Sequence, residues 1–428
     1  MAWEPGTGKT RAILEAFRHK KLATPAARML VIVPANLRAQ WAAVALEAGF
    51  SVQDLTPKDT FSKLADIVVV SYHAILNVKM WKTLMAEQWA VLTLDEAHYC
   101  KNPTTKWVKG IFGARKNSPA CLMRRSSVMW LMTGTPITKD PTDLWVFVSR
   151  LFTDILDSEG IQNRNQWIER WCLGYNTPYG FKVTGARDSA RLHELLSPYM
   201  SRVLKKDVLK DRKEPLFDRF RLPPRKIDLS EVGAEEIARI AELLDGDFDL
   251  SELENDPAVT SLRKLLGVSK ALEVGDLIVD EARNTGAKQL VFYHHTDVGM
   301  SIFKLLHGEG LKPVIYNGNS TAKQKQMALH LFKNDPECLV FIGQMDASGT
   351  GLDGLQVASR VHIVEEPWTP AKLDQVVSRA DRGGQLGQVH VTSYVIAGSY
   401  DEKVSKKIEE RTRIINAVID GHKEGKAA

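Results

Sequence analysis

Near its N-terminus the chain reads "MAWEPGTGKT", and Gly6, Thr7, Gly8, Lys9 and Thr10 have the types and order of a phosphate-cradling loop. Glycines in such a loop let backbone N–H groups face phosphate oxygens, the lysine reaches the β- and γ-phosphates, and the threonine hydroxyl takes Mg²⁺. The loop departs from the full GxxxxGKT pattern, because Trp3 stands where the first glycine is expected. Further along, "VLTLDEAHYCKNP" places Asp95 and Glu96 at the end of an apolar run. If that run is a strand, both carboxylates sit at the C-terminal edge of a parallel sheet, where open α/β folds bind ligands. Asp95 can orient water on Mg²⁺ and Glu96 can polarise an attacking water as general base. Lysine loop and acidic pair together supply much of what phosphoryl transfer from ATP requires.

These groups need a frame. "RMLVIVP", "DIVVVSY", "AVLTLDE" and "SVMWLMTGTP" are apolar on both faces, which predicts buried parallel strands covered by helices. The pattern lapses from about Phe152 to Leu229 and resumes with "KQLVFYHH", "KPVIYNG", "CLVFIGQ", "RVHIVEE" and "QVHVTSYVIAG". Two α/β sheets are therefore expected: a first lobe over residues 1–152, a helical and basic connection over 153–230, and a second lobe over 231–428. Val404, Ile408, Ile415 and Ile419 recur at helical spacing, predicting a C-terminal amphipathic helix packed on the second lobe.

Composition narrows the class. With 428 residues, two to four domains are expected, and a net charge of +5 permits a polyanionic partner without requiring one. Cys100, Cys121, Cys172 and Cys338 lie far apart, with neither zinc-site nor disulfide-framework spacing. No apolar run approaches a membrane span, and the first residues lack the basic-then-apolar layout of a secretory signal, so a soluble, cytoplasmic protein is expected, or a nuclear one if its source is eukaryotic. "DGDFDLSELEND" spaces Asp245, Asp247 and Asp249 like a calcium loop, but Leu250 replaces the turn glycine and Asp256 the closing glutamate, so it reads as a solvated loop. His294-His295 reads as a strand end, since no companion ligand has suitable spacing.

Asp95-Glu96-Ala97-His98, the "TGTP" of Thr133 to Pro136 and "QVVSRADRGGQ" from Gln375 to Gln385 resemble motifs of the helicase superfamily with two RecA-like lobes, specifically the Swi/Snf-type DNA translocases. "SGTGLDGLQVASRVHIVEEPWTPAKLDQ" is similar to that family's fifth motif and the approach to its sixth. The likeness covers nearly the whole chain. Its middle, "YGFKVTGARDSARLHELLSPYMSRVLKKDVL", is similar to the helical protrusion and basic strap of the annealing-helicase branch.

The resemblance implies an α/β P-loop NTPase of helicase type, with helical insertions between two RecA-like parallel-sheet lobes and one ATP site split between them. Gly351 and Gln375 would join the loop residues around the nucleotide, and Arg379 and Arg382 would be its arginine pair, with Arg382 the finger on the γ-phosphate. The family usually has histidine before the second arginine, whereas this chain has Asp381, which could pair with Arg382 or face solvent. DNA contacts are expected from Gln40, Trp41, Thr133, the Ser348 to Gly351 turn, Lys205 and Lys206; for Trp41 and Trp368 the competing reading is core packing. The implied activity is that of a monomeric motor on double-stranded DNA, using ATP and Mg²⁺. Its competitors are a hydrolysis-poor nucleic-acid binding module and an RNA-directed motor. In the family a strand leads into the phosphate loop and upstream segments hold the adenine, so the chain is expected to be part of a longer product or to recognise the base weakly.

Overall fold

The computed structural model describes the chain except for residues 115–119, 178–179, 211, 228–231, 246–255, 349–351, 353 and 422–428. It divides into two units, residues 1–208 with 413–428, and residues 209–412.

In the first unit, a two-residue strand β1 (Ala2–Trp3) leads through the glycine loop into α1 (Lys9–Ala23). β2 (Met29–Val33) is followed by α2 (Arg38–Glu47), then by β3 (Val52–Asp54), β4 (Ile67–Ser71), β5 (Trp89–Asp95) and β6 (Ser126–Met132). The sheet order is β3-β4-β2-β5-β6, with every pair parallel. β2 and β4 are buried at every position because apolar cores flank both faces. β6 differs from the expectation of a buried strand: it closes the edge of the sheet, and Val128 is 37 % exposed. β1 joins none of these strands and instead pairs in parallel with β9 (Arg202–Val203).

The segment between the expected lobes is mixed rather than purely helical. Helices Thr153–Ser158, Arg164–Trp171 and Ser189–Leu196 pack through Ile155, Trp167, Trp171, Leu192 and Leu196. Between the second and third of them stands an antiparallel hairpin, β7 (Cys172–Thr177) and β8 (Gly180–Ala186).

In the second unit six parallel strands follow the order β10-β15-β14-β11-β13-β12. They are β10 (Leu216–Leu222), β11 (Gln289–Tyr293), β12 (Val314–Tyr316), β13 (Val340–Gln344), β14 (Arg360–Ile363) and β15 (His390–Ile396). The expected boundary after residue 230 therefore moves. β10 pairs with β15 over its whole length, so the second unit begins before it. The C-terminal helix Tyr400–Ile419 is also divided: Val404 and Ile408 pack in the second unit's core, whereas Val418 and Ile419 belong to the core around Trp167 and Trp171. Across this sheet lies the 29-residue helix Pro257–Thr285. Its Gly267 permits close approach, since a Cβ there would meet Val298 at 2.7 Å and Glu365 at 2.9 Å. Asp245 ends the helix Ala234–Asp245, while Asp247 and Asp249 lie outside the described residues.

Candidate functional site

The loop owes its shape to glycine. Gly6 and Gly8 take φ of 83° and 90°, a region that a side chain disfavours, and a Cβ on Gly8 would meet nothing within 4 Å. Gly8 caps α1, whose first turn carries no acidic residue and whose last turn carries Lys20 and Lys21. The start of α1 thus keeps the positive end of its dipole, a setting that attracts anions. Lys9 Nζ donates to the carbonyl oxygens of Trp3 at 2.9 Å and Glu4 at 3.2 Å. Burial pulls the Lys9 ammonium below its usual range, while Glu96 and Asp95 oppose that shift, so all three groups lie within electrostatic reach. Thr10 follows in the first turn of α1.

β5 delivers the acidic pair. Asp95, 7 % exposed, accepts from Trp41 Nε1 at 2.8 Å and from the Glu96 amide at 2.9 Å, and its carbonyl oxygen accepts from Tyr72 Oη at 2.9 Å. Burial first, then the neighbouring Glu96 charge, pushes the Asp95 carboxyl up to about 6. Glu96 adopts φ 49°, a left-handed conformation that costs a non-glycine residue on the order of 1 kcal/mol. That turn sends the chain into the short helix Ala97–Cys100 and brings His98 Nδ1 to 3.3 Å from Glu96 and 3.0 Å from Thr133 Oγ1. Thr133 Oγ1 accepts from the Thr135 amide at 3.1 Å, so the Asp95–His98 stretch and the "TGTP" turn form one network.

Several residues expected to contact DNA are buried here and engaged within the protein. Trp41 is 3 % exposed and serves Asp95; Thr133 is 6 % exposed and serves His98; Lys205 is 6 % exposed, and its amide donates to Glu4. Gln40 and Lys206 are exposed. Ser348 ends the helix Met345–Ser348, and Gly351 lies outside the described residues.

In the second unit, Gln375 lies on the helix Pro370–Val377, and Arg379 and Arg382 follow in the turn after it. Both arginines donate to the carbonyl oxygen of Leu352, at 3.3 Å each. Asp381, 2 % exposed, does not face solvent: Arg212 grips it through both Nε and Nη2. The motifs gave no sign of this pair, because its members stand 169 residues apart. Trp368 is part-buried, with the Arg263 guanidinium 4.2 Å from its ring centroid. His294 and His295 follow β11, His295 capping the helix Thr296–Gly308, and His295 Nδ1 lies 2.6 Å from Glu365. Among the described residues no cluster of three His, Cys, Asp or Glu could hold a metal, and no helix is long and apolar enough to cross a membrane.

The mouse protein "DNA annealing helicase and endonuclease ZRANB3" is 25 % identical over 446 residues, covering 99 % of this chain and 39 % of the relative. The "Transcription regulatory protein SNF2" of Saccharomyces cerevisiae is 24 % identical over 99 % of this chain and 26 % of its own length. The chain thus spans about two-fifths or less of these curated relatives. A solved structure described as "Sulfolobus solfataricus SWI2/SNF2 ATPase core in complex with dsDNA" aligns over 98 % of this chain and 88 % of that one, at 20 % identity and a TM-score of 0.42. The model of the helicase conserved C-terminal domain matches residues 269–384. The SNF2-related domain matches residues 1–221, just over half of the chain, and this protein belongs to that family of ATP-binding, RecA-like helicase-type domains.

Proposed function

We propose that this chain is an ATP-hydrolysing motor that tracks on double-stranded DNA. The observation that carries the reading is the convergence of Lys9, Asp95 and Glu96 at the end of one parallel sheet, with Asp95 buried and only partly neutralised. The residues present fit Mg-ATP. A glycine loop and a helix N-terminus face the same side as an ammonium, and Mg²⁺ commonly takes one or two protein oxygens together with substrate phosphates, so Thr10 and Asp95 suffice without a dedicated cage. Bound Mg²⁺ would neutralise charge on the phosphates and orient them.

The chain's own groups divide the remaining work. Lys9 exchanges its loop carbonyl partners for phosphate oxygens. Glu96, held beside His98, accepts the proton of the attacking water, and His98 relays its position to Thr133. Arg379 and Arg382 supply positive charge to the same triphosphate, a contribution worth roughly 10³–10⁵ in rate in such sites. DNA as the track is supported by the relatives named as DNA annealing helicases and by exposed Gln40 and Lys206. Phosphate contacts of that kind give affinity without sequence preference.

Phosphate release by the wild type and Glu96→Gln, with duplex DNA, single-stranded DNA or RNA, tests the proposal. Duplex DNA is expected to stimulate most, and the substitution to cost about 10²–10⁴-fold. A wild type as slow as Glu96→Gln would favour the binding module, and stronger stimulation by RNA would favour an RNA track.

A further inference from the structure

The stretch from Ser201 to Lys205, expected to belong to a strap for DNA, folds onto the lead-in to the glycine loop. β1 pairs with β9, setting Ala2 beside Arg202 and Trp3 beside Val203. The Ala2 amide donates to the Ser201 carbonyl at 2.8 Å and the Glu4 amide to the Val203 carbonyl at 3.0 Å, while Trp3 Nε1 donates to Ser201 Oγ at 2.9 Å. Arg202 braces the same turn. Its Nη1 donates to the Ala2 carbonyl at 3.0 Å, its Nε is taken by Asp420 at 2.7 Å, and its Nη2 stands 4.0 Å from the Glu4 carboxylate.

This pairing delivers Lys205 to the loop. Its amide donates to Glu4 Oε2 at 2.6 Å, and Glu4 is also one of the two residues whose carbonyls hold Lys9 Nζ. Lys205 is 6 % exposed, whereas its neighbour Lys206 is exposed. A lysine is seldom so buried without a countercharge. Burial is the main reason that the Lys9 ammonium lies below its usual range; Glu96 and Asp95 oppose the shift, and the charges of Lys205 and Arg202 add to it. Lys205 therefore stands within electrostatic reach of Lys9. The acids divide by position: Asp420 is taken by Arg202, Glu4 by the Lys205 amide, and Asp95 and Glu96 stand at the end of β5. Two ammonium groups converging on one anion-binding loop repel each other until an anion enters between them.

We propose that Lys205 is a second phosphate-binding ammonium of the nucleotide site, working beside Lys9, and not a contact for DNA. A triphosphate offers several charged oxygens, and a lysine meets them as a point charge on a flexible stem. Lys9 comes from the loop itself. Lys205 comes from the segment that leads towards the second unit, so nucleotide affinity depends on how that segment pairs with β1. The inference rests on the Mg-ATP reading above and adds one ligand to it.

Titration of the fluorescent analogue mant-ATP into the full chain without DNA provides the test. Lys205→Met fills the same space without the charge and should weaken binding about 10–10²-fold, the worth of a hydrogen bond to a charged group. Lys205→Arg should keep most of the affinity, and neutralising the exposed Lys210 with Lys210→Gln should leave it within about twofold. Glu4→Gln separates the phosphate role from a structural one: it keeps an acceptor for the Lys205 amide and removes a negative charge, so mant-ATP should bind at least as tightly as to the wild type. A loss in Glu4→Gln equal to that in Lys205→Met would mean that the ammonium serves only Glu4, and would overturn the proposal; this arm decides the matter even where Lys205→Met fails to fold. Wild-type affinity in Lys205→Met, with Lys9→Ala unable to bind, would overturn it too and leave the ATP site standing. A wild type that does not bind mant-ATP would remove both.

Discussion

Asp95 and Glu365 are both buried carboxylates at the C-terminal side of a parallel sheet, one in each unit, yet their surroundings push them in opposite directions. Asp95 lies above the usual carboxylate range, because burial and the Glu96 charge outweigh the Trp41 indole and Lys9. Glu365 lies below it: His295 and the amides of His294 and His295, at 2.8 and 3.0 Å, overcome its burial. A carboxylate with too few donors can still accept a cation; one surrounded by donors is a structural tie. The difference separates the acid proposed to face the metal and phosphates from the acid that holds a turn, although both stand at the C-terminal side of a sheet.

The comparison can be broken most decisively at Glu365. Glu365→Ala leaves His295 and two backbone amides without their acceptor and should lower the unfolding free energy by about 3–5 kcal/mol in urea titration. A loss below about 1 kcal/mol would mean that Glu365 is no tie. Next comes the other tie of the second unit: Arg212→Ala removes the two-pronged ion pair from the buried Asp381 and should cost about 3 kcal/mol, and Arg212→Lys should recover only part of this because the two-pronged grip is lost.

The smallest effect on stability is expected at Asp95. Asp95→Asn removes a poorly compensated charge but turns one acceptor into a donor, so the terms should cancel to within about 1 kcal/mol, while phosphate release still collapses. The pH dependence sharpens the contrast. In the nucleotide-free protein the Asp95 carboxyl is raised from 3.8 to about 6, so the folded state holds its proton where the unfolded state has lost it. Its contribution to stability is present below about pH 4 and lost as pH rises through about 6. Glu365, depressed from 4.5, acts in reverse: its contribution is present above that value and lost as pH falls below it. Urea midpoints measured across pH 4–7 should therefore slope less steeply downward in Asp95→Asn than in the wild type.

Much of this was legible in the chain itself, and the gaps have physical causes. β2, β4 and β5 announce themselves because strands covered on both faces must be apolar throughout. β10 escaped notice because "LFDRFRL" is an edge strand exposed at every position but the last, so its side chains carry no core signal. The hairpin escaped for the same reason. Lys9, Asp95 and Glu96 stand out as candidates because phosphate chemistry calls for their types and spacing. Trp41 could not be placed as the donor to Asp95, since that bond spans 54 residues and an indole in a helix reads equally well as core or as surface. The Arg212–Asp381 pair was hidden likewise: each member looks like an ordinary charged residue until the fold brings them together.

The left-handed backbone at Glu96 has a practical consequence for anyone engineering this molecule. Glycine or asparagine would occupy that turn more comfortably, so a screen that rewards heat tolerance alone will tend to find one of them there. The most robust survivors of such a screen would be the ones that lack the carboxylate proposed here as general base.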